Sequence, residues 1–357
     1  MTAHFHELRV AEIVPETAEA NSIRFDVPPE LRETFRFKAG QHLTLKAEIG
    51  GEEVRRNYSL CTAPDDADWM VTVKRIAGGM FSNWVGDHLK AGDVIDVMPP
   101  HGSFTTEFDP GQSGRYVGFA GGSGITPVIS LIRTALKQET GSRFTLLYGN
   151  RDSSSVIFLD ALADLKDRYM VRFELYHFLA EEAGDFELFN GMLDQKMCGN
   201  AIEQLVGDPQ EVDAWFICGP GPMMDAAESA LLERDVAKDR IHIERFTADR
   251  PSAALAQEMA ALQTRAVGAA VSVTLDGRTR RIEFTEGNIL DSARTAGLPA
   301  PFACKAGVCA TCRAKVTAGK VTMAARYGLT DEEVAAGYVL TCQSVPVGDG
   351  VAVDYDA

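Results

Sequence analysis

Four of the seven cysteines fall in the last 54 residues, as Cys304-x4-Cys309-x2-Cys312 and then, after 29 intervening residues, Cys342. Three thiolates on one tight loop and a fourth from a distant segment give each iron of a [2Fe–2S] cluster two ligands. The loop between them, Lys305-Ala306-Gly307-Val308 and Ala310-Thr311, is built mostly of small residues. Such residues let backbone N–H groups approach sulfur and stabilise a reduced, more negative cluster. A structural zinc site also takes four thiolates, but usually from two short paired knuckles, and here the fourth cysteine stands alone. The other three, Cys61, Cys198 and Cys218, are scattered. An odd total in a long chain is not a disulfide framework, and a reducing, cytoplasmic location is expected.

Two motifs in the first hundred residues suit a flavin. Arg56-Asn57-Tyr58-Ser59-Leu60 ends a strand, and Gly79-Met80-Phe81-Ser82 precedes a short helix, Asn83–His88. A tyrosine can stack on an isoalloxazine, an arginine can pair with phosphate, and a serine hydroxyl can reach flavin N5. A glycine turn at a helix N-terminus can hold pyrophosphate. Taken singly, the two motifs read as a strand end and a helix cap. Further on, Gly121-Gly122-Ser123-Gly124-Ile125-Thr126-Pro127 sits between a strand and a helix, and Cys218-Gly219-Pro220-Gly221-Pro222-Met223-Met224 ends another strand. One such turn is ordinary packing, but two at strand C-termini bracket the crevice where α/β sheets bind ligands. His242-Ile243-Glu244-Arg245-Phe246 is by itself an unremarkable strand end. Arg151 can pair with a 2′-phosphate, whereas Ala180-Glu181-Glu182 offers carboxylates suited to a ribose hydroxyl. NADPH and NADH both stay open on these residues.

The elements that must position these groups follow from punctuation and periodicity. Residues 1–110 show short apolar or alternating runs (His42–Ala47, Met70–Val73, Val94–Met98) broken by Gly, Pro and Asp, the spacing of an antiparallel barrel. From 111 to 248 strands (Tyr116–Ala120, Phe144–Tyr148, Arg172–Phe178, Ala214–Cys218) alternate with helices (about Thr126 to Lys137, Val156–Asp167), which means a parallel α/β sheet. Residues 249–266 begin with Asp249-Arg250-Pro251-Ser252, run on rich in alanine, and read as a linker, at most transiently helical, without an aromatic or β-branched core face. Residues 267–357 return to strands (Val271–Leu275, Thr279–Phe284) around a helix, Ile289–Ala296. The chain is therefore multidomain.

Charge narrows the partners. Thirty-five Lys and Arg against 51 Asp and Glu give a net charge of −16, which repels nucleic acid and anionic membrane surfaces. No apolar run is long enough to span a membrane, and the N-terminus lacks the pattern of a signal peptide. Residues 267–357 hold nine basic and ten acidic residues, so the rest of the chain carries −15. A di-iron oxygen-activating site would need two Glu-x-x-His motifs on helices. Glu174-x-x-His177 occurs once, in a strand-like stretch where positions three apart face opposite sides.

In this order the motifs resemble the ferredoxin–NADP reductase superfamily, with a plant-type ferredoxin appended as in the reductase components of multicomponent oxygenases. The resemblance implies an antiparallel β-barrel flavin domain, an α/β parallel-sheet nicotinamide domain and a β-grasp [2Fe–2S] domain. It implies FAD on Arg56, Tyr58, Ser59, Leu60, Val73, Lys74, Gly79, Met80 and Ser82, and a nicotinamide nucleotide on Gly122, Ser123, Gly124, Thr126, Pro127, Arg151, Gly219, Pro220 and Met223. Ser59, Cys218 and Glu244 would shape the flavin–nicotinamide contact, with Phe246 at the flavin edge, and Cys304, Cys309, Cys312 and Cys342 would hold the cluster. Gly40–Lys46, Tyr148–Arg151, Leu188–Gly191 and Ala335–Leu340 look most like the reductases of phenylacetyl-CoA epoxidases. That likeness implies NADPH as the usual donor, NADH being possible, and a separate non-haem di-iron oxygenase as partner. Reductases of Rieske-type oxygenases such as steroid 9α-hydroxylases share the architecture. Lys305, Arg313 and Lys315 are expected to form a basic docking patch around the cluster loop.

Overall fold

The computed structural model describes residues 4–184, 186–246, 253–285 and 287–357. The chain divides into two compact units, one made of His6–Val54 and Tyr58–Glu244, the other of Arg245–Ala357 with Arg55–Asn57.

The first unit opens with a six-stranded antiparallel sheet built from β1 (His6–Thr17), β2 (Ala20–Asp26), β3 (His42–Ile49), β4 (Glu52–Ser59), β5 (Trp69–Lys74) and β6 (Val94–His101). Their order is β4-β3-β6-β1-β2-β5, and a bridge between Leu60 and Val71 closes the outer strands on each other. Inward side chains such as Leu8, Val10, Ile23, Leu43, Leu45, Val71 and Val97 are fully buried, as expected where alternate positions face a closed interior. Helix α1 (Met80–His88) follows β5 and buries Phe81 and Val85 in the same core.

A five-stranded parallel sheet continues the unit: β7 (Arg115–Gly121), β8 (Arg143–Asn150), β9 (Phe173–Leu179), β10 (Ala214–Cys218) and β11 (Ile241–Glu244), in the order β11-β10-β7-β8-β9. Strand direction of travel reverses between β7 and β10, which makes their C-terminal ends the switch point. The helices are α2 (Ile125–Gln138), α3 (Leu159–Arg168), α4 (Gln195–Ala201) and α5 (Gly221–Leu232). The helix expected from Val156 starts only at Leu159, because Asp152 caps a separate 3-10 turn at Ser153–Ser155. Glu174 and His177 lie on β9, as a strand reading requires.

α2 is buried on nearly every side, so it must have partners all round. It packs on the sheet and also ties to the barrel: Ser130 Oγ donates to the Thr62 carbonyl at 2.7 Å and Arg133 to the Cys61 carbonyl at 2.7 Å. Fully buried Glu139 ends this helix. It accepts from the Asp109 and Gly114 amides (each 3.1 Å) and from Tyr116 Oη (3.0 Å), which replaces the water it has lost.

The second unit begins with α6 (Ala253–Ala266) and contains β12 (Ala270–Leu275), β13 (Arg278–Glu283), α7 (Ile289–Thr295), β14 (Arg313–Ala318), β15 (Val321–Met323), α8 (Asp331–Ala335), β16 (Tyr338–Leu340), β17 (Ser344–Pro346) and β18 (Val351–Asp354). Its main sheet runs β13-β12-β18-β14-β16, with β12 and β18 parallel at the centre. Asp276 and Gly277, both with positive φ, make the two-residue turn of the β12–β13 hairpin. The stretch expected as a linker, 249–266, has its first four residues outside the described ones. Its remainder is helix α6, which lays Leu255, Met259, Leu262 and Ala266 against the core of this unit. Spacings of four, three and four give an apolar stripe made of leucine, methionine and alanine, residues that an aromatic or β-branched criterion passes over.

Candidate active site and cluster loop

β7 runs into Gly121 and a 3-10 turn at Gly122–Gly124, and β10 runs into Cys218-Gly219-Pro220. Contact rather than turn type demands glycine here. A Cβ on Gly124 would lie 2.0 Å from the Cys218 carbonyl oxygen, and one on Gly219 would lie 2.9 Å from Gly121 N. The two turns therefore meet backbone to backbone. The N-termini of α2 and α5 open beside them, and neither carries a side-chain cap. Thr126 and Pro127 are buried behind the first turn, with Thr126 Oγ1 donating to the Ser123 carbonyl at 3.0 Å.

A cavity of about 810 Å3 lies along this line, bounded by Lys74, Gly122, Arg151, Glu181, Pro220 and Met223 among others. Met192, Asp194 and Asp225 also face it, and sequence reading gave no sign of them. Arg151 is not a lone cation at its rim. Its Nε lies 2.9 Å from Asp152 Oδ2 and 4.0 Å from Glu181 Oε2. The hydrogen bond from Arg151 holds the Asp152 carboxyl down at about 2. Glu182 accepts from the Ser153 amide at 2.8 Å instead of facing the arginine.

The flavin motifs lie on β4, β5 and α1. Leu60 and Val73 are buried, Tyr58 is half-buried with its ring 5.9 Å from that of Phe81, and Lys74 is half-buried at the end of β5. Arg56 is exposed on β4 and donates to the Arg55 carbonyl at 2.7 Å. Gly79 caps α1 without a side-chain bond, leaving first-turn amides as donors, and Met80 is exposed beside it. Ser82 Oγ accepts from the Ile76 amide at 3.3 Å and so braces the turn. Ser59 Oγ is buried with no hydrogen-bond partner. Such a group costs about 1–3 kcal/mol unless something bonds it, which fits a hydroxyl reserved for a bound flavin.

Cys218 and Glu244 are register partners at the ends of β10 and β11. Burial, with the nearby Glu244, keeps the Cys218 thiol far above the usual thiol range, so it is neutral. Burial alone pushes the Glu244 carboxyl up to about 8, and its Oε2 has no hydrogen-bond partner. Its Oε1 lies 3.6 Å from Nδ1 of His42, a residue in the Gly40–Lys46 segment to which the sequence assigned no role. Phe246, expected at the flavin edge, is 37% exposed and belongs to the other unit.

In the second unit the four C-terminal thiols stand two and two. The free thiols of Cys304 and Cys309 hydrogen-bond each other, as do those of Cys312 and Cys342. Two pairs suit a binuclear centre that takes two thiolates per iron. The Cys342 thiol is held below the usual range by the hydrogen bond from Cys312, which is correspondingly raised. The Ala306 amide donates to Cys304 Sγ at 3.3 Å, the kind of N–H···S contact that stabilises a negative cluster. Lys305 and Ala310 have positive φ, which neither favours, while Gly307 between them takes it without strain. What holds the loop is tertiary. Thr341 Oγ1 donates to the Cys312 carbonyl at 2.9 Å, and Gln343 Nε2 donates to the Lys305 carbonyl at 2.9 Å.

The expected basic patch is largely compensated. Lys305 Nζ lies 2.7 Å from Asp291 Oδ1, Arg313 pairs with Glu333, and Arg313 and Lys315 lie over the Tyr338 ring. Sequence counted the cations but could not see which acids the fold brings to them.

Comparison with known proteins gives three family matches along the chain. An oxidoreductase FAD-binding domain matches residues 7–106, an oxidoreductase NAD-binding domain 119–229, and a 2Fe-2S iron-sulfur cluster binding domain 273–347. One component of the 1,2-phenylacetyl-CoA epoxidase of Escherichia coli is 43% identical over 99% of this chain and 98% of its own. The ferredoxin reductase component of a 3-ketosteroid-9-alpha-monooxygenase from Mycobacterium tuberculosis is 40% identical over 99% of this chain and 96% of its own. Among solved structures, phthalate dioxygenase reductase shares the fold at TM-score 0.62 and 23% identity, covering 98% of both chains.

Proposed function

The chain belongs to the family of oxygenase reductase components that join an FAD domain, a nicotinamide domain and a [2Fe–2S] domain, and from that premise we propose that it carries electrons from NAD(P)H to a separate di-iron oxygenase acting on phenylacetyl-CoA. The observation that carries the reading is the pairing of a two-turn glycine cleft in one unit with a four-thiol loop in the other. A hydride-binding cleft and a one-electron centre are the two ends of such a transfer.

FAD, when bound, accepts the hydride's electron pair and releases the electrons one at a time, the conversion a [2Fe–2S] acceptor needs. The chain's residues do the rest. Arg56, Tyr58, Ser59, Leu60, Val73, Lys74, Gly79, Met80 and Ser82 would hold the flavin. Gly122–Gly124, Thr126, Pro127, Arg151, Gly219, Pro220 and Met223 would hold the nucleotide, its phosphates at uncapped helix N-termini where backbone N–H groups attract anions. Neutral Cys218 and neutral Glu244 leave the ends of β10 and β11, next to the Gly219-Pro220 turn, without charge. The four thiolates hold the cluster. Arg151 supports NADPH as the preferred donor, and Asp152 and Glu181 keep the margin over NADH small. A reducing, cytoplasmic setting goes with this reading. Among the described residues no helix is long and apolar enough to cross a membrane.

The 40% identity to a steroid monooxygenase component favours one alternative, a Rieske-type oxygenase as partner. Reconstitution decides between them. Purified protein with one FAD and one [2Fe–2S] should couple NADPH oxidation to product with a phenylacetyl-CoA epoxidase. Coupling to a Rieske oxygenase and none to the epoxidase would replace this reading with the alternative.

A further inference from the structure

Oxidation of NAD(P)H yields NAD(P)+, one proton and two electrons. With a flavin and a cluster bound, the electrons would go on to the acceptor, and the proton would still need its own way out of a buried site. β10 leads into the Gly219-Pro220 turn that bounds the cleft, and its last residue is Cys218, whose thiol is too weak an acid to serve; the register partner of Cys218 is Glu244, a buried carboxyl with one unpartnered oxygen.

From Glu244 a line of ring nitrogens leads outward. His42 Nδ1 lies 3.6 Å from Glu244 Oε1, one small rotation short of a hydrogen bond. His42 Nε2 lies 3.1 Å from His101 Nε2, and His101 Nδ1 lies 3.3 Å from the Pro99 carbonyl oxygen. His42 is 5% exposed, while His101 is partly exposed. The chemistry of these partners orders the protons. A carbonyl can only accept, so His101 carries its proton on Nδ1 and presents Nε2 as an acceptor. In the neutral tautomer that matches this order, His42 donates from Nε2 and turns Nδ1 towards Glu244. The three groups come from β11, β3 and β6, and Cys218 on β10 is the further ionisable group beside Glu244. Gly102 keeps the space open, since a Cβ there would lie 2.9 Å from His42 Nδ1.

We propose that His42 and His101 form a proton exit from Glu244 to the protein surface, used once per hydride. Glu244 Oε1–H gives its proton to His42 Nδ1 as His42 Nε2–H gives one to His101 Nε2, and partly exposed His101 exchanges its Nδ1–H contact with the Pro99 carbonyl for solvent and releases that proton there. Rotation of the rings and reprotonation of Glu244 by the proton left from the hydride then restore the line. The proposal rests on the flavin reading above and extends it to residues that touch neither cofactor motif.

The test uses full-length holoprotein with NADPH and ferricyanide, a pH-indicator dye reporting proton release in stopped flow. His42→Phe and His101→Ala should slow proton release about a hundredfold or more, the low end of the range for a lost general acid–base group. Free imidazole should restore His101→Ala, whose site reaches solvent, and leave His42→Phe slow. Independently of turnover, nitrogen NMR should show His42 protonated at Nε2. The infrared band of the protonated carboxyl, assigned by its loss in Glu244→Gln, should move in His42→Phe. Unslowed proton release in both variants, imidazole without effect on His101→Ala, or His42 protonated at Nδ1 would each overturn the relay. If His101→Ala fails to retain FAD, His101→Asn carries the same comparison. A wild-type protein without FAD would sink the flavin reading, whereas FAD-loaded variants of normal speed would sink the relay alone.

Discussion

Replacing Glu244 by glutamine should make the protein more stable at high pH and leave it nearly unchanged in acid. The carboxyl ionises near 4.5 in an unfolded chain and is pushed up to about 8 by burial in the folded one. The folded state therefore holds a proton that the unfolded state gives up between those values. Its contribution is fully present below pH 4.5 and is lost as pH rises towards 8. The gap of 3.5 pH units, at about 1.36 kcal/mol each, amounts to about 5 kcal/mol. Glutamine has the same shape and never ionises, so it escapes that loss. Against wild type, Glu244→Gln should gain about 1 kcal/mol at pH 5 and about 5 kcal/mol above pH 8.5. In a unit of this size the larger figure corresponds to a melting temperature roughly 10–20 °C higher. Thermal unfolding at several pH values, with FAD held saturating so that ligand linkage is constant, reads the difference directly. Two parallel stability curves would mean that Glu244 ionises normally in the folded protein, and the neutral carboxyl beside Cys218 would have to be given up.

Gly124→Ala should cost about 3 kcal/mol or more and abolish NAD(P)H oxidation, because the new methyl would overlap the Cys218 carbonyl, which is backbone and cannot swing aside; normal turnover would show that the two turns are not in contact. Asp152→Asn should raise the kcat/KM ratio of NADPH to NADH several-fold, approaching the about 1.5–3 kcal/mol of a charge-assisted bond once Arg151 is released, and an unchanged ratio would remove Arg151 from 2′-phosphate recognition. Cys309→Ser should lose the [2Fe–2S] absorbance and cytochrome c reduction while keeping NADPH-to-ferricyanide activity, since the thiols and the cleft lie in different units; collapse of both activities would refute the modular reading.

Much of this protein is legible in one dimension. The spacing of Cys304, Cys309 and Cys312 confines three thiols to one loop whatever the rest of the chain does, because nine linked residues cannot carry them far apart. Strand ends followed by glycine, as at Gly121 and Cys218-Gly219, locate the cleft for a similar reason, and β10 begins and ends where its apolar run does. Local rules failed where the deciding contact was remote. Residues 253–266 looked like a linker until the fold supplied a core for the Leu255–Met259–Leu262 stripe. Lys305 and Arg313 looked like a docking patch until Asp291 and Glu333 arrived beside them. The clearest case is His42, an ordinary alternating position on a strand. Only the register of β3 against β6 sets it beside His101, 59 residues away, and only the packing of β11 sets it beside Glu244. Side-chain type and short spacing are fixed by covalent connectivity. Burial, and with it the charge state of Glu244, exists only once strands distant in sequence have excluded the water between them.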